Sequence, residues 1–232
     1  MKIPNIYGHR GASALEPENT MRAFKRAFKD GAIGIEFDVR LTADKKIVVI
    51  HDEMLNRTSN GVGFVKDYTY EELLQLDFGL GEKIPLLIEV LKEYEKNYWL
   101  NIEIKELGLE EQLIDFLNEY DVKEKAIVSS FKIPAIKKVK ELDSNVQTAY
   151  IYSIKKPDLE QLKKTIKLNG VHPRKDLITK NLVKKAYSLD LLIRTWTVDK
   201  PREALKLAKL NVESIITNNP KAILQAFLAK KD

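Results

Sequence analysis

Two of the three histidines in this chain stand beside charged neighbours: His9 precedes Arg10 in GHRGA, and His51 precedes Asp52 in VVIHDE. Two further polar pairs interrupt apolar runs, Glu36 with Asp38 in GIEFDV and Glu103 with Lys105 in NIEIK. Residues two apart on a strand project to one side, so each pair presents two charged heads together. Singly, each has an ordinary role open to it: the acids can pair with Arg10, Arg40 or Lys105, and a histidine can serve as a hydrogen-bonded structural residue. Their joint placement near strand ends argues for chemistry. Three carboxylates in a chain without cysteine make an all-oxygen donor set. That set suits one divalent cation, Mg²⁺ or Ca²⁺ with Mn²⁺ also compatible, better than Zn²⁺. Imidazole titrates near pH 6.5, so a pair of histidines can divide base and acid roles near neutrality. Arg10 and Lys105 are cations suited to a phosphoryl oxygen. These are the parts of a phosphodiester-cleaving site.

Nine short apolar runs can position such groups: 5–9, 33–39, 46–52, 98–105, 126–131, 146–152, 169–173, 191–198 and 213–218. Most are separated by segments of helical period. In NTMRAFKRAFKDG, Met21, Phe24 and Phe28 share a face and Gly31 supplies a stop. Strand–helix alternation predicts parallel pairing, and 232 residues fit one α/β domain over 1–232, a (β/α)₈ TIM barrel. The ninth run has a local explanation. The stretch LTADKK is too short for a parallel crossover, so the second and third runs should form an antiparallel hairpin. A turn centred on Ala43–Asp44 would set Asp38 opposite Val49 and Glu36 opposite His51. Residues 52–84 break the alternation with a glycine-punctuated loop and a capping-box spacing at Thr69 and Glu72, and are expected to form a small insertion subdomain over the site.

Composition narrows the classes. Hydrophobic residues make up 44% of the chain, enough for a core. The net charge of +5 is spread over lysine-rich helices such as KIPAIKKVKEL without interleaved aromatics, which argues against nucleic acid and favours an anionic small molecule. No apolar run reaches the ~20 residues of a membrane span, and MKIPNIYGHRG has no secretory-type apolar stretch, so a cytoplasmic protein without stable membrane insertion is expected.

The motifs in order carry a resemblance. HRGASALEPENT (9–20), the acidic pair within 34–63, TYEELLQLDFG (69–79), IPLLIEVL (84–91), NIEIK (101–105), SSF (129–131), TWTVDKP (195–201) and ITNNP (216–220) together resemble the glycerophosphodiester phosphodiesterase family, relatives of the phosphatidylinositol-specific phospholipases C. The resemblance spans nearly the whole length. It implies a metal on Glu36, Asp38 and Glu103, acid–base catalysis by His9 and His51, and Arg10 and Lys105 at the phosphate of a small glycerophosphodiester. The rival expectations are the same chemistry on lysophospholipids, in the manner of a phospholipase D, and a catalytically silent binding barrel.

Other positions are open on the sequence. His172 and Trp196 are candidate substrate contacts with structural alternatives, Asp52 can orient His51 or reach the metal site, Phe131 reads as packing with contact to the leaving alcohol as its alternative, and Asn19 as the cap of the first helix. Two residues depart from the family pattern: Asp199 stands where asparagine is usual, and Asn218 where aspartate is usual. The two exchanges can compensate each other. The glycine common before LLIRTW is also missing.

Overall fold

The computed structural model describes residues 2–94, 97–154 and 156–230. All nine apolar runs contain strands: β1 (Asn5–His9), β2 (Gly34–Leu41), β3 (Ile47–Val49), β4 (Trp99–Ile104), β5 (Ala126–Ser130), β6 (Gln147–Tyr152), β7 (Gly170–Pro173), β8 (Leu192–Thr195) and β9 (Ser214–Thr217). The helices are α1 (Met21–Lys29), α2 (Tyr70–Leu73), α3 (Leu87–Tyr94), α4 (Glu110–Glu119), α5 (Ile133–Leu142), α6 (Leu159–Ile166), α7 (Lys180–Ser188), α8 (Pro201–Lys209) and α9 (Pro220–Leu228). Because β1 pairs in parallel with both β9 and β2, the sheet closes on itself. Eight parallel strands form the barrel, and β3 is attached to β2 antiparallel. Parallel closure brings the C-terminal ends of the eight barrel strands to one rim, where the βα loops meet.

The outer faces of the strands pack on the helices in two large apolar clusters. One contains Phe24, Phe37, Leu91 and Leu113, the other Val171, Ile193, Leu207 and Phe227. Aromatics recur in the first, with Phe24 tilted against Phe37 at 5.6 Å between ring centroids and edge-on to Tyr94 at 6.4 Å. Thr20, not Asn19, caps α1: its side chain accepts from Ala23 N–H, and Asn19 turns inward with a left-handed φ of 57°. Where a glycine is missing before β8, Asp190 takes the left-handed conformation (φ 52°), which aspartate tolerates better than most residues.

The hairpin register differs from the sequence expectation by one residue. Val39 pairs with Val49, Arg40 with Val48 and Leu41 with Ile47. The cause is a three-residue loop. Thr42 N–H donates to Lys46 O at 3.0 Å, Lys45 adopts φ 61°, and Thr42 Oγ1 accepts from Lys46 N–H. A left-handed third loop residue characterises such turns and adds one position to the register. His51 is therefore not opposite Glu36. It lies beyond the end of β3, where strand alternation no longer fixes its direction.

After β3 the chain forms two short 3₁₀ turns and α2 before rejoining at α3. Thr69 and Glu72 make the capping box their spacing predicts. Val48, Ile50, Leu55, Val65, Leu73, Phe78 and Ile84 close a separate small core beneath this segment. No helix among the described residues is long and apolar enough to cross a membrane.

Candidate active site

β1 delivers His9 to the rim as its last residue. The chain then reverses through Arg10 (φ 54°) and Gly11 (φ 82°). A Cβ on Gly11 would lie 2.5 Å from the backbone carbonyl carbon of Ala23, so only glycine lets this loop close on α1. His9 Nδ1 lies 2.6 Å from Asn218 Oδ1, and its Nε2 lies 3.8 Å from Glu36 Oε2. Burial, reinforced by the adjacent Arg10 charge, lowers His9 to about 4.

β2 and β4 supply the acids. Asp38 and Glu103 are direct register partners, and Glu36 is two residues earlier on the same face as Asp38. The three are 4%, 1% and 8% exposed respectively, and each offers an oxygen within 4.8 Å of the others. Burial drives Glu36 well above the usual carboxylate range, and the Asp38 and Glu103 charges add to it. Burial and the Asp38 charge push Glu103 up to about 7. Burial would also raise Asp38, but Arg10 and Lys105 outweigh it and hold that carboxyl below its usual value. Arg10 Nε is 3.2 Å from Asp38 Oδ2, while Lys105 Nζ is 2.5 Å from Glu103 Oε1 and 3.5 Å from Asp38 Oδ1. Asn19 Nδ2 donates to Asp38 Oδ2 at 3.0 Å, which gives the residue read as a helix cap a place in the site instead.

Three buried carboxylates face two cations, and Asp38 Oδ1 accepts no hydrogen bond. A buried carboxylate oxygen that accepts no hydrogen bond, beside two acids forced toward protonation, is the environment a hard cation relieves. The residues present therefore fit a metal ion with oxygen ligands.

His51 reaches the same cavity from beyond β3. Arg40 Nε donates to its carbonyl at 2.8 Å, and Asp52 Oδ1 lies 2.5 Å from its Nδ1. Asp52 thus orients the ring, one of the two roles its position left open. Arg57, from the segment after β3, grips Asp52 with Nε–Oδ2 at 2.6 Å and Nη2–Oδ1 at 2.9 Å. Its other contacts run to Glu18, which in turn pairs with Arg10 at 2.8 Å. One charged chain thus ties both histidine loops together. Burial lowers His51, and Lys105 and Arg10 add to that against the Asp38 charge.

The cavity holds about 130 Å³. His9, Arg10, Glu36, His51, Glu103, Lys105, His172 and Trp196 all line it. Of the nine sequence-predicted site residues only Asp38 does not line it, being paired with Arg10 and Lys105, which do. His172 is 1% exposed with its Nε2 unpartnered, and its carbonyl accepts from Trp196 Nε1 at 2.8 Å. Phe131 is 42% exposed and edge-on to Trp196 at 5.7 Å, so it walls the mouth where the sequence suggested packing.

Sequence reasoning passed over Asn101, Glu18 and Arg57. Asn101 lines the cavity with Nδ2 unpartnered while its Oδ1 accepts from Ser129. The strand period, which puts it on the face of Glu103, could have found it. Glu18 and Arg57 carry no such signal, because their contacts join distant loops.

Comparison with known proteins adds an independent finding. Residues 9–222 match the model of the glycerophosphoryl diester phosphodiesterase family. A glycerophosphodiester phosphodiesterase of Caldanaerobacter subterraneus subsp. tengcongensis is 38% identical over 94% of this chain and 96% of that protein. The structure of a phosphodiesterase from Oleispira antarctica, solved with the product sn-glycerol-3-phosphate, superposes with a TM-score of 0.89 at 27% identity, covering 97% of both chains. A glycerophosphodiester phosphodiesterase from Thermotoga maritima gives a TM-score of 0.81 at 27% identity, over 97% of this chain and 99% of that one.

Proposed function

The chain belongs to the glycerophosphoryl diester phosphodiesterase family and is a phosphodiesterase of glycerophosphodiesters; from that premise we propose that it cleaves them to glycerol phosphate and an alcohol with one divalent cation and paired histidines. The observation that carries this reading is the buried cluster of Glu36, Asp38 and Glu103, two of which, Glu36 and Glu103, line the same cavity as both imidazoles. A cation held by those three carboxylates supplies charge stabilisation on the phosphoryl group. Everything else falls to the chain's own side chains.

Arg10 and Lys105 hold the phosphate oxygens. His9, whose Nδ1 meets a neutral amide, presents Nε2 as the base. It takes the proton of the attacking oxygen which, by resemblance to the phospholipases, is the glycerol hydroxyl beside the phosphate. His51, whose Nδ1 meets the Asp52 carboxylate, is suited to carry the positive charge of imidazolium and gives its proton to the departing alkoxide. Water then opens the cyclic phosphate, with the two histidines exchanging roles. Trp196, Phe131 and His172 bound the space left for glycerol. The product sn-glycerol-3-phosphate seen in the Oleispira antarctica enzyme supports the substrate class.

The test is product identity and the cost of each histidine. Phosphorus NMR of glycerophosphocholine with enzyme and Mg²⁺, Ca²⁺ or Mn²⁺ should show glycerol phosphate accumulating. His9→Ala and His51→Ala should each lose at least ~10² in turnover with the fold intact. Near-wild-type turnover in both variants would remove the acid–base assignment.

A second reading, lysophospholipid cleavage by the same chemistry, is favoured by exposed Val62, Phe64 and Leu80 in the segment after β3. Against it, Val65, Leu73 and Phe78 of that segment are buried in its own core. Turnover of a lysophospholipid above that of glycerophosphocholine would reverse the preference.

A further inference from the structure

We propose that Asp199 and Asn218 act as one positioning pair that holds His9 in the tautomer with its proton on Nδ1 and a bare Nε2. The inference rests on the reading of His9 as the base. Its starting point is that a carboxylate only accepts hydrogen bonds. Asp199 Oδ2 lies 2.7 Å from Asn218 Nδ2, while Asp199 Oδ1 accepts from Asn218 N–H at 2.8 Å and from Thr217 Oγ1 at 3.0 Å. The Asn218 amide is therefore oriented, with its NH₂ toward Asp199 and its oxygen toward His9. That oxygen also only accepts, and it sits 2.6 Å from Nδ1. In the neutral ring the proton must lie on Nδ1, which leaves the lone pair on Nε2, on the side of Glu36 and the cavity. Ser13 Oγ lies 2.7 Å from the same amide oxygen and 2.7 Å from the His9 carbonyl, and its one proton serves either acceptor.

The pair also accounts for the two late departures from the family pattern. Exchanging acid and amide between positions 199 and 218 preserves one carboxylate facing one amide, so the contact between them survives. In this chain the ring meets a neutral oxygen, with the negative charge one side chain away. Neither residue touches the cavity's reacting centre, so both act through His9. Second-contact residues of this kind cost roughly 10–100-fold when lost from metal sites, and a wrong histidine tautomer is costly wherever a ring nitrogen must accept a proton.

The single exchanges break the complementarity in opposite ways. Asn218→Asp sets two carboxylates against each other. Asp199→Asn frees the Asn218 amide to turn its NH₂ toward Nδ1, which favours the other tautomer. The double exchange D199N/N218D restores an acid–amide pair. The experiment is nitrogen NMR of histidine-labelled enzyme with Mg²⁺ present, run beside steady-state kinetics on glycerophosphocholine. We expect Nδ1–H at His9 in the wild type and in the double exchange, and a mixed or inverted tautomer in Asp199→Asn. kcat should fall roughly 10–100-fold in the single exchanges with KM within about twofold, and recover in the double. A wild-type tautomer in Asp199→Asn, or single losses that simply add in the double, overturns the positioning pair. A tautomer that changes while kcat does not supports the pair and removes His9 from the base role, which separates the two failures. The exchanges keep side-chain volume, and unchanged thermal unfolding of each single variant guards against misfolding as the cause.

Discussion

Asp38 and Glu103 face each other as direct partners across β2 and β4, both buried, with the Lys105 ammonium within 3.5 Å of each carboxylate. Two acids side by side are tolerated because Lys105 and Arg10 offset them, yet Glu103 is still driven from 4.5 to about 7 by burial and the Asp38 charge. The folded protein without metal therefore keeps a proton on this group that the unfolded chain has lost. Its contribution to stability is present below about pH 4.5 and declines as the pH rises toward about 7. His9, His51 and His172, all lowered mainly by burial, run the opposite way as pH rises toward 6.5. The carboxylate is thus best read as a difference. In chelator, the stability of Glu103→Gln relative to wild type should increase across pH 4.5–7, by at most about 3 kcal/mol. Urea unfolding at several pH values measures it, and a flat difference contradicts the assignment.

The partners of the two rings predict unequal dependence on the leaving group. His51, backed by Asp52, protonates the departing alkoxide, and an aryl alcohol of low pKa needs no such help. His51→Ala should lose at least ~10² in turnover on glycerophosphocholine but regain most of it on a p-nitrophenyl phosphodiester of glycerol. His9→Ala should lose similar factors on both. Equal losses for the two variants on both substrates would cancel the division of roles.

The rim depends on Gly11. Its φ of 82° and the 2.5 Å approach to the Ala23 carbonyl carbon forbid a side chain. Gly11→Ala should destabilise the protein by about 2–3 kcal/mol, a fall in Tm of roughly 5–10 °C at this size, and should displace His9 and Arg10 together. Differential scanning calorimetry with an activity assay checks both, and an unchanged Tm would show that the loop relaxes freely.

The strands were legible because each carries a local apolar run, and the barrel because those runs alternate with helical periods. Glu36, Asp38 and Glu103 could be grouped because strand alternation and parallel closure leave them one face to share. The hairpin register was not legible, since it turns on the left-handed conformation of Lys45, which no glycine or asparagine announces. Asn19 illustrates a second limit. Both it and Thr20 are good capping residues, and only the tertiary contact with Asp38 decides which one caps. The chain from Asp52 through Arg57 and Glu18 to Arg10 joins two segments distant in sequence, and sequence spacing carries no trace of it.

The most direct measurement is turnover of glycerophosphocholine by chelator-treated enzyme as Mg²⁺, Ca²⁺ or Mn²⁺ is added back, compared with Glu36→Gln and Asp38→Asn. A site built on these carboxylates predicts negligible hydrolysis in chelator, saturable recovery in the wild type, and recovery shifted to much higher cation concentration or abolished in the variants. Full turnover in chelator, or variants that recover on the wild-type curve, would contradict it.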